Sequence, residues 1–206
     1  AQVVGVDLGS EFIKIASVRR SDGINVVLNE QTRRKTPNYV GFRGNDSFIG
    51  EDAKNLVGRF PDLMVGMLNR LIGAQYTDSL LDWYYGGMRY TNRLEEIPER
   101  ETVAVSIARD STPIKYAIET LLGMIFEYIR ATASLFNGEH AAKQDAVVIV
   151  PYFFDMQQRR ALCQSAILGN TNIISTIHTT TSIALQYGIQ NRGFGEETRN
   201  VVILDM

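Results

Sequence analysis

Asp7-Leu8-Gly9-Ser10 places a carboxylate, a glycine and a hydroxyl in a turn between two apolar runs, Val3 to Leu8 and Phe12 to Val18. A glycine there lets backbone N–H groups come close to phosphate oxygens, Ser10 can add a hydrogen bond, and Asp7 can hold water around a magnesium ion. That is the chemistry of a phosphate grip. The same residues also make an ordinary hairpin, since Asp and Gly are common turn formers, and the motif by itself leaves both readings open.

Other reactive side chains are sparse. Cys163 has no second cysteine to pair with, and His140 and His178 lie far apart, so neither an internal disulfide nor zinc chemistry is expected. Arg33-Arg34-Lys35 reads as a solvated basic loop, and a net charge of -2 argues against a nucleic-acid surface. No apolar run reaches the roughly twenty residues of a membrane span, so no membrane partner is expected. The start carries no charged-then-apolar leader, which is compatible with a mature lumenal form. Asn45-Asp46-Ser47 is a weak N-glycosylation sequon in a turn between two expected strands.

The elements that must position the grip follow from periodicity. Val3 to Leu8, Phe12 to Val18 and Ile24 to Leu28 predict a three-stranded antiparallel meander, and residues 37–42 with 47–50 predict a hairpin around Gly44-Asn45-Asp46, with a subdomain boundary near Pro37. Glu51 to Phe60 has helical spacing, and Pro61 is expected to start a second helix that ends at Gly73. Its Met64/Met67/Leu68/Leu71 stripe reads as core packing. Leu80 to Tyr85 is either a helical turn or a strand. Met88 to Leu94 and Thr102 to Ala108 read as strands around a charged turn, Glu95 to Glu101.

Thr112-Pro113 is expected to cap a long helix from Ile114 to Phe136, closed by Asn137-Gly138 and packed on a sheet. The last third alternates: strand Ala146 to Val150, helix Asp155 to Leu168, strand Asn172 to Ile177, helix Thr180 to Tyr187, strand Val201 to Leu204. This alternation predicts an α/β domain with parallel strand pairs, and the opening meander shares its sheet. With 206 residues and 45% hydrophobic content, the chain can bury a sizeable core. Its stop just after the last expected strand reads as a fragment.

Val-Asp-Leu-Gly-Ser at 6–10, Arg-Arg-Lys-Thr-Pro at 33–37, Arg-Leu-Ile-Gly at 70–73, Val-Pro-Tyr-Phe-Phe at 150–154, Gln-Arg-Arg-Ala at 158–161, Ala-Leu-Gln-Tyr-Gly at 184–188 and Leu-Asp-Met at 204–206 stand in order along the chain. In that order and spacing the set resembles the nucleotide-binding domain of the heat shock protein 70 superfamily. Within it, the Ser10-Glu11 turn, the basic run and the Pro-x-Phe-Phe segment look most like the large glucose-regulated, hypoxia up-regulated chaperones of the endoplasmic reticulum. The resemblance implies an actin-like ATPase (ribonuclease H-like) core, a mixed sheet with flanking helices and an inserted small α+β subdomain. Residues 1–36 and 113–206 would form the core subdomain, 37–112 the peripheral one, and the second lobe would be absent.

By the same resemblance, Asp7, Gly9, Ser10, Glu11 and Phe12 match the first phosphate loop, and Asp205 opens a second one. Asp7 and Asp205 would hold magnesium through water, with ATP or ADP bound by the intact two-lobed domain and not tightly by this fragment. Glu11 and Phe12 replace the family's commoner Thr and Tyr, and the Glu11 carboxylate is expected to point away from phosphate or to weaken binding. The family's catalytic lysine falls at Asn69 and a glutamate at Thr179, so hydrolysis is expected to be slow or absent. Pro151 and Arg159 match a relay toward a substrate-binding domain; the plainer reading is a strand end and a helix surface. Cys163 is expected to be a small buried residue and His178 a satisfied interior or rim histidine. The resemblance thus implies a holdase and nucleotide exchange factor of the endoplasmic reticulum lumen, with a resident heat shock protein 70 chaperone and unfolded clients as partners. A cytoplasmic location, a fully active ATPase chaperone and, more distantly, a sugar or acetate kinase are the alternatives.

Overall fold

The computed structural model describes residues 2–19, 23–87, 90–109, 112–138, 140–191 and 200–204. Its central sheet contains β1 (Val4–Leu8), β2 (Phe12–Arg19), β3 (Gly23–Val26), the short β4 (Thr36–Pro37), β11 (Gln144–Val150) and β12 (Thr171–His178). The order is β12-β11-β1-β2-β3, with β4 on β2. Pairing is antiparallel from β1 to β2 to β3 and parallel from β1 to β11 to β12, so the meander and the alternating third share one mixed sheet. Strict alternation explains the faces: Val4, Val6 and Leu8 are buried, as are Ala146, Val148 and Val150, while Asp7 and its neighbour Ile149 turn to the other, half-buried face.

Two further helices cover the buried face. α4 (Ile118–Asn137) is closed by Gly138 in the left-handed conformation, and α5 (Met156–Leu168) is opened by a capping box in which Asp155 accepts from the Gln158 N–H. They pack closely where α5 ends, because a Cβ on Gly169 would lie 2.5 Å from the Gly123 carbonyl oxygen. α6 (Thr179–Gln190) follows β12 directly.

Between β4 and α4 the chain builds two small antiparallel sheets. One has the order β6-β5-β7, from β5 (Tyr39–Arg43), β6 (Asp46–Ile49) and β7 (Met64–Gly66); the other is β10-β9-β8, from β8 (Arg93–Ile97), β9 (Thr102–Arg109) and β10 (Thr112–Ala117). Short helices α1 (Glu51–Leu56), α2 (Leu68–Leu71) and α3 (Asp78–Leu81) lie among them, the last running into a π-helical turn, Asp82–Gly87. One continuous hydrophobic core links all three sheets.

Several expectations are corrected. The second helix from Pro61 is instead a 3₁₀ turn (Pro61–Leu63), strand β7 and the four-residue α2. Met64 to Gly66 find an open edge on β5, and Met67 breaks the run with φ 56°. The long helix starts at Ile118 rather than Ile114, because Thr112 to Ala117 pair with Arg109 to Ala104 of β9. Pro113 is tolerated there since β10 is an edge strand, where a missing N–H breaks no ladder. The first helix stops at Leu56 rather than Phe60. Glu95 and Glu96 belong to β8, which narrows the charged turn to residues 98–101; Met88 lies outside the described residues. Residues 201–204 are irregular, with Val202 and Leu204 largely exposed, because no strand takes up their backbone groups. Cys163 is half-buried, not buried.

Candidate functional site

A cavity of about 470 Å³ opens at the carboxyl ends of the parallel strands β1 and β11, lined by Asp7, Gly9, Ser10, Lys14, Asn69 and Thr179 together with Arg70 and the Pro151 to Phe153 segment. Strand ends of this kind are where open α/β sheets bind ligands, since the loops there are free of ladder pairing. The cavity unites residues from the first turn, from α2, from the end of β11 and from the start of α6.

The Asp7 to Phe12 turn is held from three sides. Its own N–H of Gly9 donates to the Phe12 carbonyl at 3.1 Å. Asn38, fully buried just after β4, donates its side-chain amide to the Gly9 carbonyl at 3.0 Å and its backbone N–H to the Glu11 carbonyl at 2.9 Å. Asn69, 1% exposed, donates to the Leu8 carbonyl and to Ser10 Oγ, both at 3.2 Å. Because Ser10 Oγ accepts that bond, its own proton is left for a ligand oxygen. Gly9 is required by space: an added Cβ would sit 2.5 Å from the Phe12 carbonyl oxygen.

Asp7 and Lys14 stand directly opposite each other across β1 and β2, and Lys14 Nζ lies 2.6 Å from Asp7 Oδ2. Asp7 is the one carboxylate among the described lining residues, and no cluster of three or more metal-ligating side chains occurs among the described residues. Magnesium usually takes one or two carboxylates besides water and phosphate oxygens. Asp7 is thus the described lining carboxylate that could anchor a magnesium water shell, and the Lys14 ammonium shares its Oδ2.

Of the residues singled out in the sequence, Asp7, Gly9, Ser10, Asn69, Pro151 and Thr179 meet in the cavity. Glu11 and Phe12 do not line it. The Glu11 carboxylate is exposed and faces Lys54 Nζ at 3.5 Å on α1, while the Phe12 ring lies under the ammonium groups of Lys35 and Lys54, at 4.1 and 4.6 Å. Arg159 lies on α5, where Nε donates to the Phe154 carbonyl at 3.2 Å and Nη1 to Thr176 Oγ1 at 2.9 Å, tying the turn after β11 to β12. Asn45 is exposed in the β5–β6 turn, and Asp205 lies outside the described residues. His178 is half-buried at the junction of β12 and α6, with its Nδ1 buried and without a hydrogen-bond partner among the described residues, against the expectation of a satisfied ring.

Lys14, Asn38 and Arg70 were missed by sequence reasoning. The hairpin register alone could have found Lys14, since a turn over residues 9–12 pairs Asp7 with position 14. Nothing local marks Asn38 or Arg70. The Arg70 guanidinium lies over the rings of Phe153 and Trp83, at 4.9 and 5.6 Å, and so positions the aromatic wall of the cavity.

Residues 3–206 match the family described as Hsp70 protein. Similar curated proteins include hypoxia up-regulated protein 1 of Xenopus laevis, 32% identical over 99% of this chain and 31% of its own length. The proteins of that name from Homo sapiens and Cricetulus griseus are 32% and 33% identical, each over 99% of this chain and 20% of their own length. The chain thus spans between a fifth and a third of the length of these relatives.

Proposed function

The chain belongs to the Hsp70 protein family, whose fold is the actin-like ATPase fold, and from that premise we propose that it is the first lobe of a nucleotide-binding domain that senses nucleotide more than it consumes it. The turn at Gly9 and Ser10 meets the phosphates of ATP or ADP, and Asp205 opens a second phosphate loop. In this reading residues 1–36 and 113–206 are the core subdomain, 37–112 the inserted one, and the second lobe completes the site. Slow hydrolysis follows from side-chain chemistry. A neutral amide at Asn69 and a hydroxyl at Thr179 face the cavity where the family resemblance calls for a lysine and a glutamate, and losing such electrostatic stabilisation costs on the order of 10²–10³ in rate.

The observation that carries this reading is the convergence of Gly9, Ser10, Asn69 and Thr179 on one cavity. The whole protein is then an endoplasmic-reticulum holdase and nucleotide exchange factor acting on a resident Hsp70 chaperone and on unfolded clients. The likeness to hypoxia up-regulated protein 1 supports that assignment. Among the described residues no helix is long and apolar enough to cross a membrane. In this reading Pro151 and Arg159 relay nucleotide state through the core, which the position of Pro151 on the cavity wall and the bond from Arg159 to Thr176 support.

Calorimetric titration of the full-length protein with ATP and ADP, run beside ADP release from an Hsp70 partner, tests the reading; absent binding removes the sensing role, and unchanged release removes the exchange role. One observation favours a fully active ATPase instead: Lys14 brings an ammonium into the cavity that lacks the lysine at position 69. Single-turnover hydrolysis decides between them, since phosphate release well above background excludes the sensing reading.

A further inference from the structure

We infer that Arg70 receives the terminal phosphate of ATP, the group that ADP lacks, and so is the residue by which this site tells the two nucleotides apart. The inference rests on the phosphate-site reading above and adds to it the contact that depends on nucleotide state. Its first ground is charge. Asp7, Lys14 and Arg70 are the charged side chains among the described residues that line the cavity. Lys14 Nζ stands 2.6 Å from Asp7 Oδ2, so that pair cancels and the surplus positive charge is Arg70. Asn69, directly before it in the chain, is neutral and offers a phosphate no competing cation.

The second ground is a set of unmet donors. The Arg70 guanidinium lies over the rings of Phe153 and Trp83, at 4.9 and 5.6 Å. Such rings meet the plane of a guanidinium and leave its N–H edge to acceptors that lie in that plane. Among the described residues no side-chain ion pair or hydrogen bond reaches that edge, although Arg70 is half-buried. A half-buried cation steadied by rings, with its donors unmet, is preorganised for an anion, and its planar fork matches two oxygens of one phosphate.

Its place selects the terminal group. The Asn69 amide donates to Ser10 Oγ and to the Leu8 carbonyl, which fixes the chain just before Arg70 against the first turn. Arg70 and Phe153 also line an adjoining cavity of about 470 Å³, shared with Trp83 and Asp155, so Arg70 stands on the wall between the two. Positions 69 and 179 are where the reading above puts cleavage of the terminal phosphate, and Arg70 follows the first of them. In that orientation ADP, one phosphoryl group shorter, ends short of the wall.

The test is calorimetric titration of the full-length protein in magnesium with ADP and with the β,γ-imido analogue of ATP, for the wild type, Arg70→Met and Arg70→Lys. Circular dichroism and thermal unfolding establish that each variant is folded. Arg70→Met should weaken binding of the ATP analogue by about tenfold to a hundredfold, the size of one charge-assisted hydrogen bond, and change the Kd for ADP by less than about threefold. Arg70→Lys, which keeps the charge and loses the fork, should show a smaller loss with the same selectivity for the ATP analogue, and it carries the test by itself if Arg70→Met does not fold. A folded variant that loses affinity for both nucleotides equally, or for neither, overturns the inference and leaves the phosphate site standing. A wild type that binds neither nucleotide removes the phosphate site itself, and the inference with it.

Discussion

Replacing Gly9 with alanine probes the turn on which the site is built. The new Cβ would stand 2.5 Å from the Phe12 carbonyl oxygen and 3.6 Å from its carbon, so the obstruction is backbone and no side-chain rotation relieves it. Relief requires the turn to open, which gives up the 3.1 Å bond from the Gly9 N–H to Phe12 and strains the 3.0 Å bond from Asn38 to the Gly9 carbonyl. One lost hydrogen bond costs about 1 kcal/mol and forced repacking about 1–3 kcal/mol, while alanine recovers roughly 0.4–1 kcal/mol by restricting the unfolded chain. A net local cost of about 1–3 kcal/mol remains, equivalent to roughly a 5- to 150-fold rise in the population of the open turn. Amide hydrogen exchange of peptides spanning β1 and β2 in the full-length protein should quicken by that factor, and the ATP affinity of the same preparation should fall at least tenfold. Unchanged exchange would refute the steric argument. Faster exchange with unchanged ATP affinity would refute the assignment of the turn to phosphate.

Three further outcomes are expected. Asn69→Lys combined with Thr179→Glu should raise single-turnover hydrolysis by about 10²–10³, and a rate that stays at background would refute the roles given to these positions. Arg159→Met should lower the thermal midpoint by removing the bonds to Phe154 and Thr176, and a cycle with Thr176→Val should show the two changes to be non-additive; additive losses would mean that the 2.9 Å bond contributes nothing. Burial, together with the Glu30 carboxylate that accepts from its hydroxyl at 2.8 Å, pushes the Tyr128 pKa up to about 12. Its folded value thus exceeds the unfolded value of about 10, so the stability it contributes is complete below pH 10 and is lost as the pH rises toward 12. Tyr128→Phe should flatten the fall in thermal midpoint over that window, and parallel curves for the two proteins would refute the shift.

Strands β1, β2 and β11 and helix α5 were legible because each carries its own signal: alternation on the strands, and the Asp155/Gln158 capping box on the helix. The regions that misled were those where the local pattern permits more than one structure. Leu63, Met64, Met67, Leu68, Leu71 and Ile72 satisfy helical spacing, yet Met64 to Gly66 pair with β5, a partner fixed far away in the chain. Thr112-Pro113 is a sound helix start, yet the free edge of β9 draws residues 112–117 into a strand. Pairing with a neighbouring strand outweighed local helix propensity in both places.

The sequence by itself determined the chemistry available at the first turn, a carboxylate, a glycine and a hydroxyl, and the neutral residues at positions 69 and 179. Tertiary structure alone decided what these groups do to one another. It brought the Asn69 amide onto Ser10, seated Asn38 behind Gly9, sent Glu11 out toward Lys54, and set Lys14 on Asp7. Those contacts join residues far apart in the chain or depend on the register of the β1–β2 hairpin. Their geometry is set by how sheet, turn and helix pack together, which no single stretch of residues contains.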